Sequence, residues 1–156
     1  MIKFSIITVC LNAGNDLLET VESTLKQSYD EFEIIVKDGF SKDCSIEKLP
    51  QNKKVCVYQE KDKSVYDAMN QAIAYATGDY CLFINAGDTL YEPSTLQLIA
   101  DFIEKSWRFL LRKESHVVIW CNELWAGEGY KVFLLSNHDV PSGNGYQNFL
   151  PKRKRL

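Results

Sequence analysis

The sequence has no long apolar run: Phe4 to Leu11 and Tyr80 to Ile84 are its longest, far short of the roughly 20 residues that cross a bilayer. No transmembrane helix is predicted. Histidine is scarce, and neither His116 nor His138 has a partner at the spacing of a metal site or a catalytic triad. The five cysteines (Cys10, Cys44, Cys56, Cys81 and Cys121) are odd in number and lack the short paired spacings of a zinc site, so they read as reduced thiols. Excess charge is also missing. A net charge of -3 offers no basic face for nucleic acid, and none is expected as a partner. The one basic run, Lys152 to Arg155, reads as a solvated end that would also suit a peripheral contact with anionic lipid. Met1 leads straight into a strand-like run without the apolar core of a secretory signal, which predicts a cytoplasmic protein.

With 46% hydrophobic and 25% charged residues in 156 positions, the chain has globular composition and enough length to bury a core. Phe4 to Val9, Phe32 to Val36, Val55 to Tyr58 and Tyr80 to Ile84 are short and apolar, the first two rich in β-branched residues as well, the pattern of buried strands. Between them, Leu17, Leu18, Val21 and Leu25 recur at helical spacing, with Asp16 and Glu19 as a capping-box-like start. Val65, Met69, Ala72, Ile73 and Ala76 make a second helical stripe that Gly78 is expected to end in a left-handed cap. Ser94 to Lys105 reads as a third helix. The alternation predicts an α/β fold, a mostly parallel sheet flanked by helices. Beyond it, His116 to Cys121 and Lys131 to Leu135 read as strands, and the remainder resists assignment.

In open parallel sheets, ligands bind beyond the carboxyl ends of the strands. Thr8 to Asn12, Asp38 to Asp43, Glu60 to Asp67 and Asn85 to Asp88 each follow a predicted strand, so four polar clusters gather at one sheet edge. They contain neither a Gly-x-Gly-x-x-Gly turn nor a phosphate-binding lysine loop, and carboxylates dominate. A phosphate-bearing ligand meeting carboxylates needs a cation between them, which Mg²⁺ or Mn²⁺ would supply.

The blocks Thr8-Val9-Cys10-Leu11-Asn12, Val36-Lys37-Asp38-Gly39-Phe40-Ser41-Lys42-Asp43, Glu60-Lys61-Asp62-Lys63-Ser64-Val65-Tyr66-Asp67-Ala68-Met69-Asn70 and Phe83-Ile84-Asn85-Ala86-Gly87-Asp88 resemble, in order, those of family 2 glycosyltransferases. The resemblance covers about residues 2 to 106. It implies the N-terminal nucleotide-binding half of a glycosyltransferase A fold, with a nucleotide-sugar-binding domain over 1–106 and a segment of uncertain structure over 107–156. It puts Thr8, Val9 and Asn12 beside the nucleotide, Asp38 on the base or ribose, and Lys61 and Asp62 along the diphosphate. The fourth block stands where relatives carry an Asp-x-Asp metal motif. Asn85 and Gly87 replace aspartates there, leaving Asp88 as the metal carboxylate.

The activity implied is inverting transfer from a nucleotide-sugar donor, a UDP-sugar, to a saccharide or lipid-linked acceptor in cell-envelope polysaccharide or glycolipid synthesis. Glu123, Glu128 and Asp139 have no context that marks a general base, so no catalytic residue is named. The alternative is a noncatalytic nucleotide-binding remnant. Relatives continue with a Tyr-Gly strand and a Cys-His-Gln-like block, and neither stands here. If Ile119-Trp120-Cys121 were coded ATA TGG TGT and Val140-Pro141-Ser142 GTG CCA TCA, skipping one nucleotide would read Tyr-Gly and Cys-His in a single shifted frame. A truncation or frameshift after about residue 106 is therefore one reading of the last third.

Other residues have structural rivals. Asp38 with Gly39 would also suit a plain turn, with Ser41 or Asp43 capping a following helix, and Asp67 and Asn70 face a helix start that favours an acid without any function. Asp88 would also serve as a loop cap before Pro93.

Overall fold

The computed structural model describes residues 1–107, 117–120 and 133–135, with side chains as far as Glu104. Six strands form one sheet in the order β3-β2-β1-β4-β5-β6. They are β1 (Phe4–Cys10), β2 (Phe32–Asp38), β3 (Val55–Gln59), β4 (Tyr80–Phe83), β5 (Val117–Trp120) and β6 (Phe133–Leu135). Neighbours from β3 through β5 pair in parallel, and β6 runs antiparallel to β5. Thus β1 lies between β2 and β4, as the crevice rule requires. The last two strands coincide with the two short apolar runs of the C-terminal third.

Both faces of the sheet are covered, which explains why these strands are apolar throughout. On one face Phe4, Ile6, Ile34, Val36 and Leu82 meet Leu17 and Val21 of α1 (Gly14–Leu25) and Leu96 and Ile103 of α3 (Thr95–Trp107). On the other, Ile7, Ile35, Cys81 and Phe83 meet Met69 and Ala72 of α2 (Val65–Ile73). Ile6 and Ile7 are both wholly buried yet belong to opposite clusters, as period-2 side-chain alternation demands.

Two local expectations and one structural rival are corrected. The start of α1 has no side-chain cap of its own, and its N-cap is Ala13. Instead the Gly14 amide donates to Asp43 Oδ2 at 2.8 Å and to Ser45 Oγ at 2.9 Å, so a carboxylate from 29 residues away joins Asp16 of the first turn in complementing the helix dipole. No helix follows β2; residues 39–54 cross to β3 by turns. Finally, α2 ends at Ile73 with Ala74 as its C-cap, and Gly78 is not among the glycines with positive φ. It is needed for contact rather than for handedness: a Cβ there would stand 2.7 Å from both Lys3 O and Ser5 N. The chain entering β4 lies directly on the backbone of β1.

Candidate functional site

All four polar clusters sit where parallel strands end, at the carboxyl edge of the sheet. The loops after β1 and β2 are tied into one body. The Gly39 amide donates to Cys10 O at 2.9 Å, the Asn12 amide to Ser41 Oγ at 2.7 Å and the Lys42 amide to Asn12 Oδ1 at 2.8 Å. Asn12, Phe40 and Cys44, with φ of 53°, 67° and 58°, are the non-glycine residues with positive φ among those described. All three lie in this loop pair, and such backbone persists only where surrounding contacts over-determine it.

Asp38 is wholly buried. Its carboxylate accepts from the Ser41 amide at 3.0 and 3.1 Å, from Ser41 Oγ at 2.5 Å and from Gln59 Nε2 at 2.9 Å. Burial pushes its pKa upward, but the Ser41 and Gln59 bonds outweigh that and hold it below the ordinary aspartate value. In this conformation Asp38 anchors the loop and presents no surface to a ligand. Beside it, burial first and the Asp38 charge second push the Cys10 thiol up to about 12, so Cys10 is a neutral wall and not a nucleophile.

Thr8 is also buried, and its hydroxyl is one of two buried side-chain polar atoms with no hydrogen-bond partner among the described residues. Val9 is half-buried against the α2 face, and Asn12 is exposed. Across β2, Asp62 Oδ2 accepts from the ammonium of Lys37 at 2.5 Å, while Lys61 is exposed and its carbonyl accepts from Gln71 Nε2 at 3.0 Å. Asp67 proves structural: its amide donates to Ser64 Oγ and its carboxylate accepts from the Lys63 amide, a reciprocal helix cap.

Asp88 is exposed just beyond β4, and the one donor to its carboxylate among the described residues is Asn85 Nδ2 at 3.2 Å. It caps no backbone amide there. The described residues include no group of three or more His, Cys, Asp or Glu placed to hold a metal. A single open carboxylate fits an ion that takes most of its ligands from phosphate and water, the usual Mg²⁺ arrangement, and does not fit an all-protein cage.

Several working residues escape the sequence patterns. Thr20, on α1, secures the Asp88 loop: its hydroxyl donates toward Asp88 O at 2.8 Å and accepts from the Gly87 amide at 2.9 Å. Lys37, Gln59, Asp43 and Ser45 hold neighbouring loops. Of these, only Lys37 leaves a visible signal, a cation directly after the apolar run Ile34 to Val36. A separate groove of about 360 Å³ between α1 and residues 89–93 contains none of the expected site residues.

Residues 5–111 match the family described as Glycosyl transferase family 2. The chain belongs to that family. Among relatives of this family 2 chain, a PGL/p-HBAD biosynthesis glycosyltransferase of Mycobacterium bovis is 36% identical over 105 residues, 64% of this chain and 41% of that protein. Glycosyltransferase GlyG of Streptococcus pneumoniae is 29% identical over 147 residues, 91% of this chain and 42% of that one. Among solved structures, S. aureus TarS 1–349 in complex with UDP-GlcNAc superposes with a TM-score of 0.61 at 29% identity, over 66% of this chain and 31% of that one. The fold is the N-terminal half of a glycosyltransferase A fold. The chain spans 41–42% of the length of these two curated relatives.

Proposed function

We propose that this family 2 chain binds a nucleotide-sugar donor, a UDP-sugar, at the β1–β4 edge and transfers the sugar with inversion to a saccharide or lipid-linked acceptor of the cell envelope. The observation that carries the reading is the adjacency of β1 and β4 in parallel register, Phe4 opposite Tyr80 through Ile7 opposite Phe83. It sets the orphan hydroxyl of Thr8 and the open carboxylate of Asp88 at the ends of neighbouring strands, where the strand order reverses. The TarS likeness supports a nucleotide-sugar ligand.

In this reading Thr8, Val9 and Asn12 line the nucleotide, and Asp38 acts on it through the loop it anchors. Lys61 offers a mobile cation to phosphate. Asp88 would hold Mg²⁺ or Mn²⁺, which would take up charge on the departing diphosphate. A carboxylate must also accept the acceptor's proton; Glu123, Glu128 and Asp139 lie outside the described residues. Residues 1–106 are taken as the donor-binding unit and 107–156 as a distinct segment. Among the described residues no helix is long and apolar enough to cross a membrane, and we place the protein on the cytoplasmic side, touching the inner face of the membrane peripherally. The basic run at 152–155 lies outside the described residues.

The second reading, a noncatalytic remnant with a truncated or frameshifted end, is favoured by the family match stopping at residue 111. Against it, the GlyG alignment takes in 91% of the chain and so runs beyond that point. Calorimetry with UDP and GDP in the presence of Mn²⁺ tests donor binding, and no binding of either nucleotide would defeat the first reading and leave the remnant. A turnover assay with UDP-sugars then separates enzyme from remnant, and the coding sequence decides the frame.

A further inference from the structure

We propose that Lys37 is a positioning residue that holds Asp62 so that its remaining oxygen meets a hydroxyl of the donor's nucleoside, not its diphosphate. This rests on the donor-binding reading above. Lys37, the penultimate residue of β2, is wholly buried, and its ammonium donates to Glu60 O at 2.6 Å and to Asp62 Oδ2 at 2.5 Å. A charge so placed is sustained only by a paired and hydrogen-bonded partner. Asp62 differs from its partner in keeping 21% of its side chain exposed, and no donor among the described residues reaches its second oxygen.

The end of β2 is shaped around this pair. A Cβ on Gly39 would stand 3.1 Å from Asp62 Oδ2, so the bare backbone there leaves the carboxylate its place. The segment carrying Asp62 is held on both sides: the Glu60 amide donates to Asp38 O at 3.1 Å, and Ser64 caps α2. Asp62 is therefore presented from a fixed frame, as a binding group must be for directional contact.

Strand order supplies the ligand chemistry. Asp88 follows β4 and Asp62 follows β3, with β1 and β2 between them. The Asp62 carboxylate reaches back over the end of β2, against Lys37 and Gly39, two strand spacings from β4, roughly 10 Å. A donor whose diphosphate lies by Asp88 extends its nucleoside toward β1, β2 and β3. A carboxylate beside the diphosphate would repel it, whereas a carboxylate beside a ribose hydroxyl accepts a hydrogen bond. Place and chemistry agree on the hydroxyl.

The test uses the full chain, with Lys37→Met and Asp62→Asn, and calorimetric titration with UDP, UDP-GlcNAc and pyrophosphate, each with Mn²⁺. We expect both variants to weaken UDP and UDP-GlcNAc alike, about tenfold, the effect of one hydrogen bond to a charged group. Pyrophosphate affinity should stay at the parent value. A purely structural ion pair would lower thermal stability yet leave UDP affinity unchanged below the transition, and that result would overturn the proposal. Equal losses for pyrophosphate, or a loss confined to UDP-GlcNAc, would overturn it too, since the contact would then be to the diphosphate or to the transferred sugar. If Lys37→Met does not fold, Asp62→Asn decides. If the parent binds no nucleotide, the donor-binding reading itself fails, an outcome distinct from a binding parent with indifferent variants.

Discussion

The hydroxyl of Thr20, in the middle of α1, lies 2.8 Å from the carbonyl oxygen of Asp88. The helix is thus joined to the backbone of the Asp88 loop, and the Asp88 side chain is left exposed. Asp88→Ala should leave the fold and its melting temperature nearly unchanged, as for surface substitutions generally. It should remove the Mn²⁺-dependent part of UDP affinity. Thr20→Val should lower both stability and metal-dependent affinity, because it loosens the loop while the carboxylate remains. Parent-like UDP titrations of Asp88→Ala in Mn²⁺ would refute the metal assignment.

Gly78→Ala tests the close approach of the chain entering β4 to β1. The added methyl would meet Lys3 O and Ser5 N at 2.7 Å, and backbone cannot swing aside as a side chain can. It would also disturb the bonds from the Gly78 amide to Ser5 Oγ at 2.9 Å and from the Asp79 amide to Lys3 O at 2.7 Å. Overpacking of this kind costs about 1–3 kcal/mol or more, and denaturant unfolding should show at least that loss. An unchanged midpoint would mean that the two strands separate more easily than their contacts imply.

Phe40 is 47% exposed at a φ of 67°. The left-handed conformation costs an L-residue roughly 1–2 kcal/mol, and glycine regains it at an entropic penalty of about 0.5–1 kcal/mol. Phe40→Gly should therefore raise stability by up to ~1.5 kcal/mol. Calorimetric melting is the check, and a lowered midpoint would show that the ring's packing outweighs the backbone term.

Acid should act through Glu33. Burial pushes its pKa upward, but bonds from the Ser5 hydroxyl and from the Thr77 amide and hydroxyl, with the charge of Lys3, hold it below the ordinary glutamate value. A lowered folded value means stabilisation that is complete above the unfolded pKa, about 4.3, and is lost as pH falls through the folded one. Glu33→Gln should thus be less stable than the parent at neutral pH, and the gap should close below that value. Melting curves from neutral pH down to about pH 3 would show it, and a gap constant across that range would rule it out.

The alternation of strands and helices was legible because burial on both faces leaves a continuous apolar signature, as in Phe4 to Val9. Strand order was not legible in any local feature, since nothing in β1 selects β4 over β3 as its second neighbour. The cap of α1 was not legible at all: Asp16 and Glu19 have the right spacing, yet Asp43 and Ser45 arrive from the β2–β3 connection and take the role. Asp38 teaches the same lesson at the site. A carboxylate after a strand looks alike in sequence whether it faces a ligand or turns inward onto Ser41 and Gln59. Only the competition among nearby donors decides, and that is a property of three dimensions.

The fastening of the loop after β1 to the loop after β2 bears on how a ligand would be met. Ordering a loose loop on binding consumes affinity, and a loop already ordered spares that entropy. The amides of Asn12, Gly39 and Lys42 are all engaged across the two loops, so in hydrogen exchange they should be slow for residues outside regular structure. On the proposed donor reading, the nucleoside would meet a preformed mould, and adaptation to different donors would fall to the opposite wall, where exposed Asp88 stands on a short loop secured from one side by Thr20.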